Sequence, residues 1–235
     1  MPLKLKILLL FTFTLSINTA NANECVIFLH GLARTADSMQ KIADAFQAEG
    51  FAVANIDYPS RQHPVEELAP MAIGEGLAQC PKNTKVHFIT HSLGGILVRY
   101  YMQHNSIPNL GRVVMLAPPN QGSEVVDTYL QIPGFVMFNG PAVTQLGTGE
   151  NSMPINLGKA DFEVGIIAGT KTINPILSLS LENPDDGKVS LEKTKVEGMT
   201  DFIEVPHSHP YIMKSKAVIN YSINFIRTGS FLEKQ

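Results

Sequence analysis

The stretch "KVHFITHSLGGILVRYY", residues 85–101, decides how the rest of the chain is read. An apolar run ends at Thr90, breaks at His91-Ser92-Leu93-Gly94-Gly95, and resumes with helical spacing. That pattern is a strand, a sharp turn and a helix. Glycine alone would serve a turn, yet here a serine stands at the break with glycines on its C-terminal side only. A serine so placed sits at the carboxyl end of a central strand. Small residues are needed beside it because strand and helix pack tightly, and Gly94 meets that need. The helix start adds backbone N–H groups and a dipole that favours a developing anion.

Outward from this turn, short apolar runs alternate with helical patterns. The expected strands are Val26–Leu29, Ala52–Ile56, Val86–Thr90, Val113–Leu116, Val164–Ala168 and Phe202–Val205. Most are continuously apolar, as parallel strands covered on both faces are. Helical spacing fills Ala36–Glu49 (with Gly50 as C-cap), Val65–Gln79, Gly94–His104 and a closing segment near Tyr211–Ile226. The alternation predicts an α/β fold: a mostly parallel sheet of about six strands with helices on both faces. The gap from Pro118 to Asp161 is longer than one crossover needs. It carries Leu130, Ile132, Phe135, Val136, Met137 and Phe138 between prolines and glycines. Two readings stay open there: an excursion over residues 118–161 that caps a pocket, or a core helix followed by a loop.

The first 22 residues read as a secretory signal peptide. Lys4 and Lys6 form a short basic start, Ile7 to Ile17 is mostly apolar, and Ala20-Asn21-Ala22 fits a cleavage site. The run is short for a membrane span, and the cleavage site argues against an uncleaved anchor. The expectation is export, periplasmic or secreted, after cleavage near Ala22, with residues 23–235 as a single domain. Removing Lys4 and Lys6 takes the net charge from −3 to −5. No basic patch appears, so neither nucleic acid nor an anionic membrane surface is an expected partner. No later stretch is apolar enough for a stable membrane span. The two cysteines, Cys25 and Cys80, favour a disulfide after export over metal or redox chemistry, two buried thiols being the alternative.

A serine hydroxyl needs a base to become a nucleophile, and the base needs an orienting carboxylate. After the fifth expected strand comes "ENPDDGKVS", residues 182–190; after the sixth comes "PHSHPYIM", residues 206–213. Asp186 is preferred to Asp185, because Gly187 allows a tight turn that aims it; Asp185 then reads as a solvated turn carboxylate. Asp201 lies before a strand, at the opposite edge of the sheet, and Asp57 precedes the serine in the chain, where it reads as a turn residue. Between His207 and His209, Pro210 favours His209, by holding it extended before the closing helix, whereas His207 sits in mid-loop. His91 is expected to point away on so tight a turn, His87 to be packed or at an edge, and His63 and His104 to lie on the surface. In "FLHGLART", residues 28–35, Gly31 lets the chain turn beside the serine, so that the N–H groups of Leu32 and Leu93 converge on a carbonyl oxygen.

Together "FLHGL", "THSLGG", "DDGKV" and "HPYIM" resemble the α/β-hydrolase superfamily, specifically its small lipase-like esterases, from about Cys25 to the C-terminus. The resemblance implies that Ser92 is the nucleophile, Asp186 the acid and His209 the base, in that chain order, with Leu32 and Leu93 forming the oxyanion hole. It departs from the usual G-x-S-x-G at Thr90, which replaces the first glycine. The implied activity is hydrolysis of a small-molecule or lipid carboxylic ester through an acyl-enzyme. A thioesterase or acyltransferase would use the same three residues. A non-catalytic binding or chaperone module would be expected to lack one of them. No ligand cluster and no dinucleotide fingerprint argues for a metal or other cofactor. In this fold the strands beginning at Cys25 and following Cys80 are neighbours, so the implied disulfide lies at the edge opposite the active site.

Overall fold

A computed structural model describes residues 23–233; the expected signal peptide, residues 1–22, lies outside the described residues. The apolar runs become β1 (Glu24–Leu29), β2 (Ala52–Ile56), β3 (Lys85–His91), β4 (Leu110–Leu116), β5 (Val164–Gly169) and β6 (Asp201–Val205). The helices are α1 (Gln40–Ala48), α2 (Val65–Gln79), α3 (Leu93–His104), α4 (Glu124–Tyr129), α5 (Phe135–Asn139), α6 (Met153–Asn156), α7 (Pro175–Ser178) and α8 (Lys216–Thr228).

All neighbouring strands pair in parallel, in the order β2-β1-β3-β4-β5-β6. Each strand's two faces meet different helices. Ile27, Leu29, Phe88 and Met115 pack with Leu68 and Ile73 of α2 and Ile96 and Leu97 of α3. Val26, Phe28, Ile89 and Val114 pack with Ile42 and Phe46 of α1 and Val218 and Phe225 of α8. Burial on both sides explains why the strands read as continuous apolar runs. The sheet order reverses between β1 and β3: the chain goes from β1 out to β2, then returns to the other side of β1. A crevice at the carboxyl ends of the strands forms at such a switch point.

Two helical expectations shift. The first pattern splits into a 3-10 turn, Ala36–Ser38, and α1. The closing helix starts late: a 3-10 turn spans Ile212–Lys214, and α8 begins after Ser215, whose hydroxyl accepts from the Val218 N–H. Pro210 therefore does not open the closing helix. The helix starts where a side chain can take one of its orphan N–H groups, and Ser215 supplies that.

Residues 118–161 hold no long helix; Val126, Val143 and Leu157 among them join the core. The segment makes α4, α5, a 3-10 turn at Pro141–Gln145, and α6. Gly134 and Gly140, at φ 87° and 82°, break the path at either end of α5. A Cβ on Gly140 would stand 2.0 Å from the Arg61 carbonyl oxygen, so this segment lies directly against the loop after β2. Met137 and Phe138 of α5 are 78 % and 66 % exposed. Cys25 and Cys80 are joined by a disulfide, which ties the start of β1 to the end of α2. Among the described residues no helix is long and apolar enough to cross a membrane.

Candidate active site

Ser92 occupies the turn between β3 and α3 at φ 51°, ψ −118°. A residue with a Cβ is rarely held at positive φ, and such strain concentrates at functional positions. Backbone bonds hold it here: the Ser92 N–H donates to Leu116 O at 2.9 Å, and Gly95 N–H donates to Ser92 O at 3.0 Å. The two glycines are needed for space. A Cβ on Gly94 would lie 2.7 Å from the Leu29 carbonyl oxygen, and one on Gly95 would lie 3.2 Å from Met115 Sδ. Thr90, where related motifs carry glycine, is fully buried, and its hydroxyl reaches the Val114 carbonyl at 3.4 Å. The same hydroxyl would stand 3.3 Å from a Cβ on Gly95, so the threonine is accommodated because that helix position is glycine. Ser92 is partly exposed, although His91 and Leu93 on either side are buried.

Asp186 and His209, from the loops after β5 and β6, are joined twice. His209 Nδ1 donates to Asp186 Oδ2 at 2.7 Å, and the His209 N–H donates to Asp186 O at 2.9 Å. The other carboxylate oxygen, Oδ1, accepts from the N–H groups of Lys188 at 3.0 Å and Val189 at 2.9 Å. Gly187 makes this turn at φ 91°. Gly169, at the end of β5, lets both loops close in: a Cβ there would be 2.4 Å from His207 O and 2.8 Å from Asp186 Cβ. With Nδ1 engaged, the free nitrogen of His209 is Nε2.

The alternatives considered from sequence lie elsewhere. Asp185 is not a solvated carboxylate but is 3 % exposed. It accepts from the Gly187 N–H at 2.7 Å and from the Ser178 hydroxyl, and so braces the turn that aims Asp186. His207 is not loose: its Nε2 accepts from Ser215 Oγ at 2.8 Å, which fastens it to the start of α8. Asp201 accepts from the Phe231 N–H at 2.7 Å at the far end of the sheet, and Asp57 from the Ala36 N–H at 3.2 Å.

The loop after β1 is fixed from beneath by His30. This buried ring stacks on Tyr58 at 4.1 Å between centroids, donates from Nδ1 to Gly31 O at 2.9 Å, and accepts at Nε2 from the Tyr58 N–H at 3.3 Å. Burial lowers its pKa, only partly offset by hydrogen bonds to the backbone and by Asp57, so it stays neutral. Ala33, at φ 55°, donates its N–H to Ser60 Oγ at 3.1 Å. Neither the Leu32 nor the Leu93 N–H donates to a protein acceptor among the described residues.

His91 contradicts the expectation that it points away. Its ring lies 4.8 Å from that of His209, and its Nε2 donates to the His209 carbonyl at 3.0 Å. Its Nδ1 is buried without a partner, and a Cβ on Gly31 would come within 2.8 Å of that atom. His91 thus wedges between the loop of Gly31 and the loop of His209. Burial, reinforced by repulsion from a charged His209, holds its pKa well below the usual histidine value. No sequence signal marks this role, because its partners lie 60 residues before it and 118 after it. Alternation along β3 shows only that His91 falls on one face of the sheet.

Ser92, His209, Leu32 and His91 line one cavity of about 340 Å³. Val125, Val126, Phe135, Val143 and Leu146, all from residues 118–161, give it an apolar wall, and Arg34 and Lys188 also border it. Among the described residues no three His, Cys, Asp or Glu side chains gather as metal ligands.

No protein-family model matches this chain, and no curated protein matches it by sequence. Its fold is nevertheless similar to solved structures. The lipase BlEst2 of Bacillus licheniformis in its mature form superposes with a TM-score of 0.66 at 19 % identity, over 87 % of this chain and 91 % of that one. The metagenomic carboxyl esterase MGS0156 gives 0.64 at 17 % identity, over 82 % and 66 %. The phospholipase PlaB of Legionella pneumophila gives 0.56 at 19 %, over 73 % of this chain and 45 % of that one. With the six-stranded parallel order, these likenesses identify the α/β-hydrolase fold.

Proposed function

We propose that this protein hydrolyses carboxylic esters, with Ser92 as nucleophile, His209 as base and Asp186 as the carboxylate that orients it. The observation that carries the reading is the doubly tied Asp186–His209 pair sharing one cavity with a serine at positive φ. Because Asp186 holds the Nδ1 proton, Nε2 is free to take the proton of Ser92 as its oxygen attacks the ester carbonyl. The oxyanion that forms is met by the unused N–H groups of Leu32 and Leu93, one from each loop at the switch point. His209 then returns the proton to the departing alkoxide, leaving an acyl-Ser92. Water attacks that ester after giving a proton to the same nitrogen, and the acid departs.

The apolar wall from α4, α5 and the following turn fits the acyl part, so residues 118–161 act as a cap over a fatty or other apolar acyl group. Export fits the Cys25–Cys80 disulfide, which persists in oxidising compartments. The test is turnover of short-chain to long-chain p-nitrophenyl esters by the purified protein and by Ser92→Ala. The wild type should turn over at least one chain length and the variant none above background. Activity confined to acyl thioesters would move the reading to a thioesterase, and transfer to an added alcohol in place of water would make it an acyltransferase.

A further inference from the structure

Arg34 and Lys188 both border the cavity of Ser92, and they reach it from loops on either side of β3. Arg34 lies two residues beyond Leu32, and Lys188 two residues beyond Asp186. Their backbones are fixed. Ala33, before Arg34, is pinned by Ser60; Lys188 donates its N–H to Asp186 and accepts at its carbonyl from Ser123 Oγ at 2.7 Å. Neither cationic head makes an ion pair or hydrogen bond among the described residues. The neighbouring carboxylate, Asp186, already accepts from His209, Lys188 N–H and Val189 N–H. A chain of net charge −3 therefore places two uncommitted cations at the edge of its serine cavity. Both side chains are exposed at the rim of the cavity. The Lys188 pKa is lowered by the partial burial of its head, an effect opposed by the charge of Asp186 and reinforced by that of Arg34. An anion between the two heads would relieve their mutual repulsion.

The cavity thus has two chemical halves: an apolar wall from residues 118–161 and a cationic border. We infer that the natural ester carries a phosphate on its alcohol portion, held by Arg34 and Lys188 while the acyl chain lies on the apolar wall. Guanidinium offers a planar fork to phosphate oxygens, and ammonium a mobile point charge. The phosphate is a handle and is not cleaved. The ester C–O bond breaks as Ser92 Oγ bonds the acyl carbon, and the serine proton passes through His209 to the phosphate-bearing alkoxide. Water then supplies hydroxyl to the acyl carbon, and its proton returns through His209 to Ser92.

The inference rests on the ester-hydrolase reading, and the experiment separates the two. Butanoyl glycerol and butanoyl glycerol 3-phosphate, both monomeric in solution, are compared as substrates of the wild type and of Arg34→Gln, Lys188→Gln and the double variant, each checked for a wild-type melt. The expected result is a higher kcat/KM on the phosphate ester, shrinking with added salt. The phosphate-to-neutral ratio should fall about tenfold in each single variant. Glycerol 3-phosphate should also inhibit cleavage of the neutral ester by the wild type, and less so the double variant. Cleavage of both esters at a ratio that neither substitution changes, without inhibition by glycerol 3-phosphate, would overturn the phosphate site alone. Cleavage of neither ester would overturn this inference, and the hydrolase reading falls with it only if no p-nitrophenyl ester of any chain length is turned over either.

Discussion

Replacing Asp186 with Asn separates its proposed role from that of a mere turn carboxylate. The side chain keeps its shape, and Oδ1 can go on accepting from the N–H groups of Lys188 and Val189. Those two donors fix which end is oxygen, so the new amide NH₂ must face His209 Nδ1, where Oδ2 now accepts at 2.7 Å. Two donors cannot share that contact. His209 then gives up its Nδ1 proton and carries it on Nε2, the tautomer that cannot receive a proton from Ser92. A tautomer error of this kind costs about 10⁴ in kcat, or about 5 kcal/mol of transition-state stabilisation. Asp185→Asn is the control one residue away. Its oxygen still accepts from Gly187 N–H, and the Ser178 hydroxyl can rotate to accept from the amide. That variant should lose about 1 kcal/mol of stability and keep most of its rate. The assay is kcat on a short-chain p-nitrophenyl ester, with thermal melts of both proteins. An Asp186→Asn enzyme within about tenfold of wild type, or one more active than Asp185→Asn, would refute the reasoning.

Three further outcomes follow from the same contacts. His91→Gln, which keeps a donor at the reach of Nε2, should retain most activity. His91→Phe leaves the His209 carbonyl unpaired and should lower kcat about tenfold or more with little change in KM; equal losses in both variants would argue against a positioning role. His30, His87 and His91 all have pKa values lowered mainly by burial, so the unfolded chain binds protons that the folded one does not. Stability should therefore be full above the unfolded value of about 6.5 and fall below it, by up to about 1.4 kcal/mol per pH unit for each histidine; urea melts showing no loss between neutral pH and pH 5 would contradict this. Reducing the Cys25–Cys80 bond, which spans 55 residues, should cost about 4 kcal/mol, or a Tm drop of about 10 °C, while a melt insensitive to reductant would count against it.

The strands were legible because a sheet covered on both faces demands unbroken apolar runs. The ends of α2 fell at the expected residues because Pro64 and Cys80 are both extended and stop the helix there, although Pro70 lies inside it. The path of residues 118–161 was not legible. Some of the apolar residues there join the core, some line the cavity and some stand exposed, so they carry no single period, and Pro133, Gly134, Gly140 and Pro141 cut the segment into pieces of about one turn. Candidate site residues set by chain topology were readable. A serine in a strand-to-helix turn, an aspartate after β5 and a histidine after β6 all lie at the carboxyl ends of the strands. Pro210 led to the preferred histidine for a reason the structure does not support, since α8 waits for Ser215. Roles set by contacts between distant loops were not readable. The clamp of His91 on His209 and the meeting of Arg34 and Lys188 at the border of one cavity depend on how loops from different strands meet, and the brace of Asp185 on Ser178 on how one long loop folds back on itself.

The central claim is that Ser92 is an activated nucleophile. A fluorophosphonate reagent reports this directly, because it bonds covalently only to a serine whose proton is taken by a neighbouring base. Incubated with the wild type, it should add one label, mapped by peptide mass spectrometry to the segment containing Ser92. Labelling should vanish in Ser92→Ala and drop sharply in His209→Ala. A folded wild-type protein that takes up no label, or takes it up equally in Ser92→Ala, would contradict the account.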